Sequence, residues 1–196
     1  MPPLAPLFRR RRHGGRSVEA RRPGAGRAQG RGARRVSRAG LWLSLLVGLV
    51  AFGADRLHKY VQMDVMGWPE GRFVPVLPFL DIGFIYNRGV SFGMLGSLPA
   101  WAVGIVVAVA LTALVVWWAR STSTLVRVGL AICIGGAVSN AVDRWLFGAV
   151  ADFFWLHFGD FSLFVFNIAD AAITVGVCLL LLDLTGIGRK RGANAA

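Results

Sequence analysis

The chain has 196 residues, of which 55% are hydrophobic and only 16% charged, and its formal net charge is +12. Soluble proteins carry roughly 25% charged residues, and a soluble domain of this size does not bury so large an apolar fraction. The basic excess is confined to one end, because residues 1–38 hold twelve Arg and a single acidic residue, Glu19. No folded basic face of the kind that binds nucleic acid is indicated. The composition therefore predicts an integral membrane protein without a nucleic-acid partner.

The first 38 residues are rich in Arg, Gly, Pro and Ala and show no apolar periodicity. Such a segment does not bury enough surface to offset its chain entropy, so we expect a disordered, Arg-rich cytoplasmic tail over residues 1–38 that sets the orientation in the membrane. Arg34 and Arg35 ahead of an apolar stretch also resemble a twin-arginine signal peptide. Cleavage at the small residues Ala51 and Gly53 beyond that stretch is the alternative interpretation, and it would leave three spans.

Four apolar segments follow the tail, at about residues 39–60, 98–119, 124–146 and 163–184. Each approaches the roughly 20 residues that a helix needs to cross a bilayer. We therefore expect an all-α polytopic membrane protein with one membrane domain over residues 39–185 and a basic tail at 186–196. Lys and Arg concentrate in the two tails and between the second and third segments, which predicts that both termini are cytoplasmic.

The connection between the first two spans, about residues 61–97, is not a plain linker. It contains two short runs of β-type residues, Arg72–Leu80 and Ile82–Tyr86, punctuated by Pro and Gly. Several aromatic residues in this region suit a membrane surface, where such side chains collect. We expect a small extracytoplasmic β-sheet between helices 1 and 2, lying on the outer membrane surface.

Polar residues cluster near the predicted outer ends of the spans, where ionisable groups are costly and usually functional. Asn140 shares a helix face with Asp143 and Arg144, and Asn167 shares one with Asp170. On the first segment, Asp55 and Lys59 are spaced for an i,i+4 pair, and Asp152 lies in the connection after the third segment. Acidic groups from separate stretches of the chain are thus expected at the same depth in the membrane, near its outer surface.

Three interpretations of this cluster remain open from the residues alone. In a structural account, Asp55 pairs with Lys59. Asp143 and Arg144 are adjacent and do not face each other on a helix, so each has another partner. A catalytic account uses two carboxylates that share one proton, one as base toward a water and one as acid. The third is a small four-span transporter or proton pathway that uses the same acidic residues.

Five separated stretches of this chain carry short motifs. They are Asp55-Arg-Leu-His-Lys59, Asn87-Arg-Gly-Val-Ser-Phe-Gly93, Gly135-Gly-Ala-Val-Ser-Asn-Ala-Val-Asp-Arg144, Gly148-Ala-Val-Ala-Asp-Phe153 and Phe166-Asn-Ile-Ala-Asp170. Together they resemble the patterns of the bacterial lipoprotein signal peptidase (signal peptidase II) family, which are Asp-Gln-x-x-Lys, Asn-x-Gly-x-x-Phe-Gly, Gly-Gly-Ala-x-Gly-Asn-x-x-Asp-Arg, Gly-x-Val-x-Asp-Phe and Phe-Asn-x-Ala-Asp. The resemblance covers roughly residues 40–185. Two departures stand out: Ser139 replaces the usual Gly before Asn140, and Arg56 replaces the usual Gln.

The resemblance implies an aspartic endopeptidase of the bacterial cytoplasmic membrane, with its active site near the outer face. It would remove the signal peptide from diacylglyceryl-modified prolipoproteins by cutting before the lipidated Cys of the substrate, and it would require no metal or other cofactor. The implied partners are lipid-modified prolipoproteins and membrane lipid. The implied catalytic pair is Asp152 and Asp170. Residues that bind substrate or support the site would be Asp55, Lys59, Asn87, Gly89, Asn140, Asp143, Arg144, Asn167 and Ala169.

Overall fold

The structure is a computed structural model that describes residues 38–88 and 99–185. The expectations for the N-terminal tail before residue 38, for the tail at 186–196 and for Gly89 therefore lie outside the described residues. So does the last part of the connection that was expected to follow the first span.

Four α-helices form the body of the described chain: α1 is Arg38–Tyr60, α2 is Ala100–Arg120, α3 is Thr124–Phe147 and α4 is Ile168–Leu184. A π-helical segment, Val61–Val65, prolongs α1. Each helix forms along one of the apolar segments of the sequence, although α1 and α3 carry polar residues near their C-terminal ends. Ser123 caps α3 by accepting a hydrogen bond from the backbone N–H of Val126. Gly148, with a φ of 66°, ends α3 in the left-handed conformation that glycine adopts without strain.

Three of these helices are long and apolar enough to cross a membrane: Arg38–Val65, Trp101–Arg120 and Thr124–Phe147. The fourth expected span is not confirmed, because α4 has 17 residues and reaches only about 26 Å at 1.5 Å per residue. The expected segment began near residue 163, but residues 161–166 form a strand instead.

Helix α3 lies between α1 and α4, and small residues allow the close approach. A Cβ atom at Gly135 would collide with the backbone oxygen of Gly48 on α1, and one at Gly136 would collide with the backbone oxygen of Ala169 on α4. The two adjacent glycines on α3 therefore allow two different helices, α1 and α4, to approach closely, as small residues do in membrane helix packing. This arrangement brings the C-terminal ends of α1 and α3 to the N-terminal end of α4.

The sheet is larger than expected and draws on two connections. Strands β1 (Phe73–Leu77) and β2 (Leu80–Asn87) precede α2, and strands β3 (Val150–Phe158) and β4 (Phe161–Phe166) lie between α3 and α4. The four strands are antiparallel in the order β1-β2-β3-β4. The expectation of a sheet built only between helices 1 and 2 was therefore incomplete, because β2 pairs with β3 from the second connection.

Aromatic packing fixes the sheet to the end of α1. Phe84 on β2 and Phe153 on β3 stack with ring centroids 5.3 Å apart and form a small buried core with Ala151. The imidazole of His58 on α1 meets the Phe153 ring edge-on at 5.0 Å and stacks on Phe154 at 5.3 Å. The start of β3 is therefore held directly beside the helix ends that carry the polar residues.

Candidate active site

A buried ion cluster joins α1 to α3. The Lys59 ammonium lies 2.6 Å from Asp55 Oδ2 and 2.6 Å from Asp143 Oδ2, and all three side chains are at most 1% exposed. Arg56 completes the cluster with Nη2 placed 2.7 Å from Asp143 Oδ1. Two cations thus face two carboxylates, which is the condition under which buried charges are tolerated.

The expected Asp55–Lys59 pair is present, and Asp143 and Arg144 have separate partners. Asp143 binds Lys59 and Arg56 and also accepts a hydrogen bond of 3.1 Å from the backbone N–H of Ala151 at the start of β3. Arg144, one residue further and about 100° around the helix, donates from Nη1 to the backbone oxygen of Asn140 at 3.3 Å.

The two departures from the family pattern have a structural role in this cluster. Ser139 Oγ donates to Asp55 Oδ2 at 2.6 Å, and the other oxygen of Asp55 accepts from the backbone N–H of Ala169 at 2.9 Å. Asp55 on α1 therefore ties α3 to the first turn of α4. Arg56 adds a donor to Asp143. The motifs alone did not indicate what either residue contacts.

Asp152 lies on β3, is 1% exposed, and has a hydrogen bond to each carboxylate oxygen. The Nδ2 atom of Asn87, at the end of β2, donates to Oδ2 at 2.9 Å. The Nδ2 atom of Asn167 donates to Oδ1 at 2.8 Å. Strand pairing produces this arrangement: Ile85 lies opposite Asp152, so Asn87, two residues further along β2, is the diagonal neighbour of Asp152 on the same face.

Asp170 is held in the first turn of α4 by a capping box. Asn167 caps the helix by accepting from the Asp170 backbone N–H at 2.9 Å, and Asp170 Oδ2 accepts from the Asn167 backbone N–H at 3.2 Å. The other carboxylate oxygen of Asp170 accepts from Asn140 Nδ2 at 2.8 Å. Asn140 Oδ1 in turn accepts from Asn167 Nδ2 at 3.0 Å, so two asparagine amides connect the two carboxylates.

The electrostatic environment of Asp152 favours its protonated form. Burial raises the pKa of Asp152 from 3.8 to about 7, and the Asp170 carboxylate acts in the same direction. Hydrogen bonds from Asn87 and Asn167 stabilise the ionised form and oppose this shift. A carboxyl group with a pKa near neutrality, next to a second carboxyl group, is able to exchange a proton during a reaction at neutral pH.

The two carboxyl groups line one cavity of about 710 Å³. Asn87, Asn140 and Arg144 lie on its polar side, and residues 162–166 of β4 with Ile173 and Thr174 of α4 form much of the remaining wall. A cleft in which several polar groups converge beside apolar walls is typical of a binding site for an organic substrate. The contribution of β4 was not foreseen, because that stretch was expected to belong to the fourth span.

The structure brings together most of the residues singled out from the sequence. Around the cavity lie Asp152 and Asp170 with three supporting residues: Asn87, Asn140 and Arg144. Asn167 links both carboxyl groups from a fully buried position, whereas Asp55, Lys59, Asp143 and Ala169 form the buried layer beneath them. Within residues 38–88 and 99–185, no group of three or more His, Cys, Asp or Glu side chains is arranged to hold a metal ion.

The described chain has helices long and apolar enough to cross a membrane, a small sheet, and two carboxyl groups that line one cavity. These features define a multi-pass membrane protein with a polar cavity at one end of its helices. Comparison with known proteins narrows this class. The family model described as signal peptidase (SPase) II, Peptidase_A8, matches residues 47–186. A lipoprotein signal peptidase of Methylobacterium radiotolerans is 40% identical over 163 residues, which are 81% of this chain and 93% of the relative. One from Beijerinckia indica is 42% identical over 145 residues, 71% of this chain and 87% of the relative.

Solved structures agree with these sequence matches. A bacterial membrane enzyme determined by the in meso method at 2.3 Å resolution has a TM-score of 0.67 and 28% identity, covering 80% of this chain and 96% of the solved one. A second, at 1.9 Å resolution, has a TM-score of 0.63 and 28% identity over 74% of this chain and 93% of its own. The chain belongs to the signal peptidase II family, a family of bacterial membrane proteases.

Proposed function

We propose that this protein is an aspartic endopeptidase that removes the signal peptide from diacylglyceryl-modified prolipoproteins, cutting before the lipidated Cys of the substrate. The observation that carries the proposal is the amide-linked pair of carboxyl groups, Asp152 and Asp170, in one cavity beside the membrane helices. Family membership supports the substrate class, because the relatives are lipoprotein signal peptidases.

The reaction uses one proton shared between the two Asp residues. The ionised carboxylate removes a proton from a water molecule, whose oxygen attacks the carbonyl carbon of the scissile peptide bond. The protonated carboxyl group donates its proton to the carbonyl oxygen. The tetrahedral intermediate then collapses, the C–N bond breaks, and the leaving nitrogen receives a proton from the carboxyl group that had accepted one from water. One hydroxyl proton of the intermediate returns to the carboxyl group that had protonated the carbonyl oxygen, which restores the shared proton.

The remaining site residues position this pair. Asn87, Asn140 and Asn167 orient the carboxyl groups through the amide contacts given above, and the Arg144 side chain is placed to contact the substrate from the cavity wall. The buried cluster of Asp55, Lys59 and Asp143 supports the site by holding α1, α3 and the start of β3 together. Gly89 is proposed as a further substrate contact from its motif alone.

The proposed membrane arrangement has four spans, with α4 as the fourth. Its 17 residues cross most of a hydrocarbon core of about 30 Å, and its mainly aliphatic composition suits lipid. Lys and Arg in the two tails and around Arg120 and Arg127 favour cytoplasmic termini. The sheet and the cavity then face the outer surface, where the acyl chains of a lipidated Cys would anchor the scissile bond. A domain spanning residues 39–185 between two cytoplasmic tails follows.

The proposal is tested by incubating the purified protein in detergent with a diacylglyceryl-modified prolipoprotein and with its unlipidated form. We expect cleavage of the lipidated substrate only, with the modified Cys at the new N-terminus. Absence of cleavage by folded protein would contradict the proposal. The transporter alternative predicts proton or ion flux in liposomes instead, and the peptidase family matches do not favour it.

A further inference from the structure

A second cavity, of about 520 Å³, lies between α2 and α3. It adjoins the cavity that contains the two Asp residues, because Asn87, Arg88 and Arg144 line both of them. We call this second cavity the α2–α3 groove. Its polar side chains are these same three residues, so it is polar only where it meets the candidate active site.

The rest of the α2–α3 groove is apolar and elongated. On the α2 side it is lined by residues spaced by one, three and four positions, which fall on one helix face: Val103, Gly104, Val107, Ala108 and Leu111. This stripe extends for about 12 Å along the helix. On the α3 side, Ala141 and Trp145 contribute the wall. A Cβ atom added at Gly104 would meet nothing within 4 Å, so space remains open along the groove.

We propose that the α2–α3 groove binds one acyl chain of the diacylglyceryl group of the substrate. The proposal rests on the proposed function, because a scissile bond next to a lipidated Cys requires an apolar path that leaves the active site within a few atoms of the reacting carbonyl. The groove offers such a path, with Arg88 and Arg144 at its mouth as donors for ester oxygens. The signal peptide then occupies the opposite cavity wall, formed by β4 and α4.

Binding in the groove orients the substrate more than it adds affinity. An acyl chain outside the groove is already in lipid, which is as apolar as the groove, so transfer contributes little free energy. Holding one chain between two helices restricts the position of the adjacent Cys and of the peptide bond before it. Such restriction lowers the entropic part of the barrier, and the selectivity therefore depends on acyl chain length.

The test fills the groove without touching the catalytic residues. In the variant Ala108→Phe the new ring occupies the groove, and in the matched control Ala113→Phe the same ring lies on an exposed part of α2, about 140° further around the helix. Both are assayed on lipopeptides that differ only in carrying dipalmitoyl or dibutyryl glycerol. We expect Ala108→Phe to lower kcat/KM about tenfold for the dipalmitoyl substrate and less than about twofold for the dibutyryl one, with neither value changed in the control.

An equal loss on both substrates, or no loss on either, would overturn the proposal. A second measurement uses the unsubstituted protein: a palmitoyl chain carrying a terminal diazirine should label residues 103–111 on irradiation, and labelling confined to other helices would also overturn it. These outcomes are separate from the failure of the proposed function, in which the unsubstituted protein cleaves neither substrate.

Discussion

Lys59 on α1 and Asp143 on α3 are 84 residues apart in the chain, yet the ammonium and a carboxylate oxygen lie 2.6 Å apart with both side chains excluded from solvent. The same ammonium binds Asp55 at 2.6 Å. Lys59 is therefore the cation shared by two buried carboxylates. It holds the ends of α1 and α3 together, and its two carboxylate partners bind the backbone at Ala151 and Ala169, each one residue from a candidate catalytic Asp.

Replacing this shared cation should destabilise the protein strongly. Lys59→Met leaves Asp55 and Asp143 without their common partner, and an uncompensated buried charge costs about 3–5 kcal/mol. Arg56→Gln is the matched comparison, because Arg56 is 23% exposed and Asp143 keeps Lys59 when it is lost; we expect a loss of about 1 kcal/mol. Thermal unfolding in detergent distinguishes the two. Equal losses would show that Lys59 does not have the role assigned to it.

Replacing glycine with alanine should change the stability of the protein in opposite directions at Gly53 and at Gly135. Gly53→Ala places a methyl group where nothing lies within 4 Å, so improved helix propensity should stabilise α1 by up to about 1 kcal/mol. Gly135→Ala forces a methyl group against the backbone of Gly48 and should destabilise by about 1–3 kcal/mol. Unfolding midpoints of the two variants check this. A stabilised Gly135→Ala would mean that α1 and α3 are further apart than described.

Stability should depend on pH through Asp152. Because burial raises the pKa of Asp152 to about 7, the folded protein binds a proton that the unfolded chain releases near pH 3.8, and this contribution to stability is lost as the pH rises from about 4 to 7. Asp152→Asn lacks this dependence. Its free energy of unfolding relative to that of the unsubstituted protein should therefore rise across that range, by an amount on the order of a few kcal/mol. A constant difference from pH 4 to pH 8 would contradict the shifted pKa.

Asn87 should affect the pH at which kcat/KM declines on the alkaline side of its pH profile. In the proposed mechanism the pair of Asp152 and Asp170, the dyad, is active with one shared proton, so activity should fall as the pair loses that proton. Asn87 donates to Asp152 and lowers the pKa of that carboxyl group, and Asn87→Ala should therefore move the alkaline limb of kcat/KM to higher pH. The midpoint of the limb is the readout, because a loss of substrate contact would change only the height of the profile. An unchanged or lower midpoint would contradict this role.

Much of the helical framework was predictable, but one boundary was not. The first three apolar segments correspond to α1, α2 and α3 to within about two residues. The fourth was extended into residues 163–166, which belong to strand β4 instead. A short apolar run does not by itself distinguish strand from helix. The capping box of Asn167 and Asp170 was a visible start signal for α4.

The site was predictable in its members and not in its contacts. Helical spacing grouped Asn140 with Asp143, and the family resemblance selected Asp152 over Asp143 as the partner of Asp170. Spacing gave no basis for that choice, because Asp152 reaches the site through the pairing of β2 with β3, whose strands are separated by two helices in the chain. The two hydrogen bonds that Asp55 accepts, from Ser139 and from the backbone of Ala169, are likewise a long-range result of helix packing.

The assignment of the chemistry to Asp152 and Asp170 calls first for one assay: cleavage of a purified diacylglyceryl-modified prolipoprotein by Asp152→Asn and Asp170→Asn beside the unsubstituted protein. Asp160→Asn is the matched control, because Asp160 is exposed in the turn between β3 and β4. Removing either dyad carboxyl group eliminates the proton transfers of the mechanism, so we expect both variants to lose at least about 10³-fold in kcat while staying folded, and the control to retain full activity. Substantial cleavage by either dyad variant would place the chemistry on other residues.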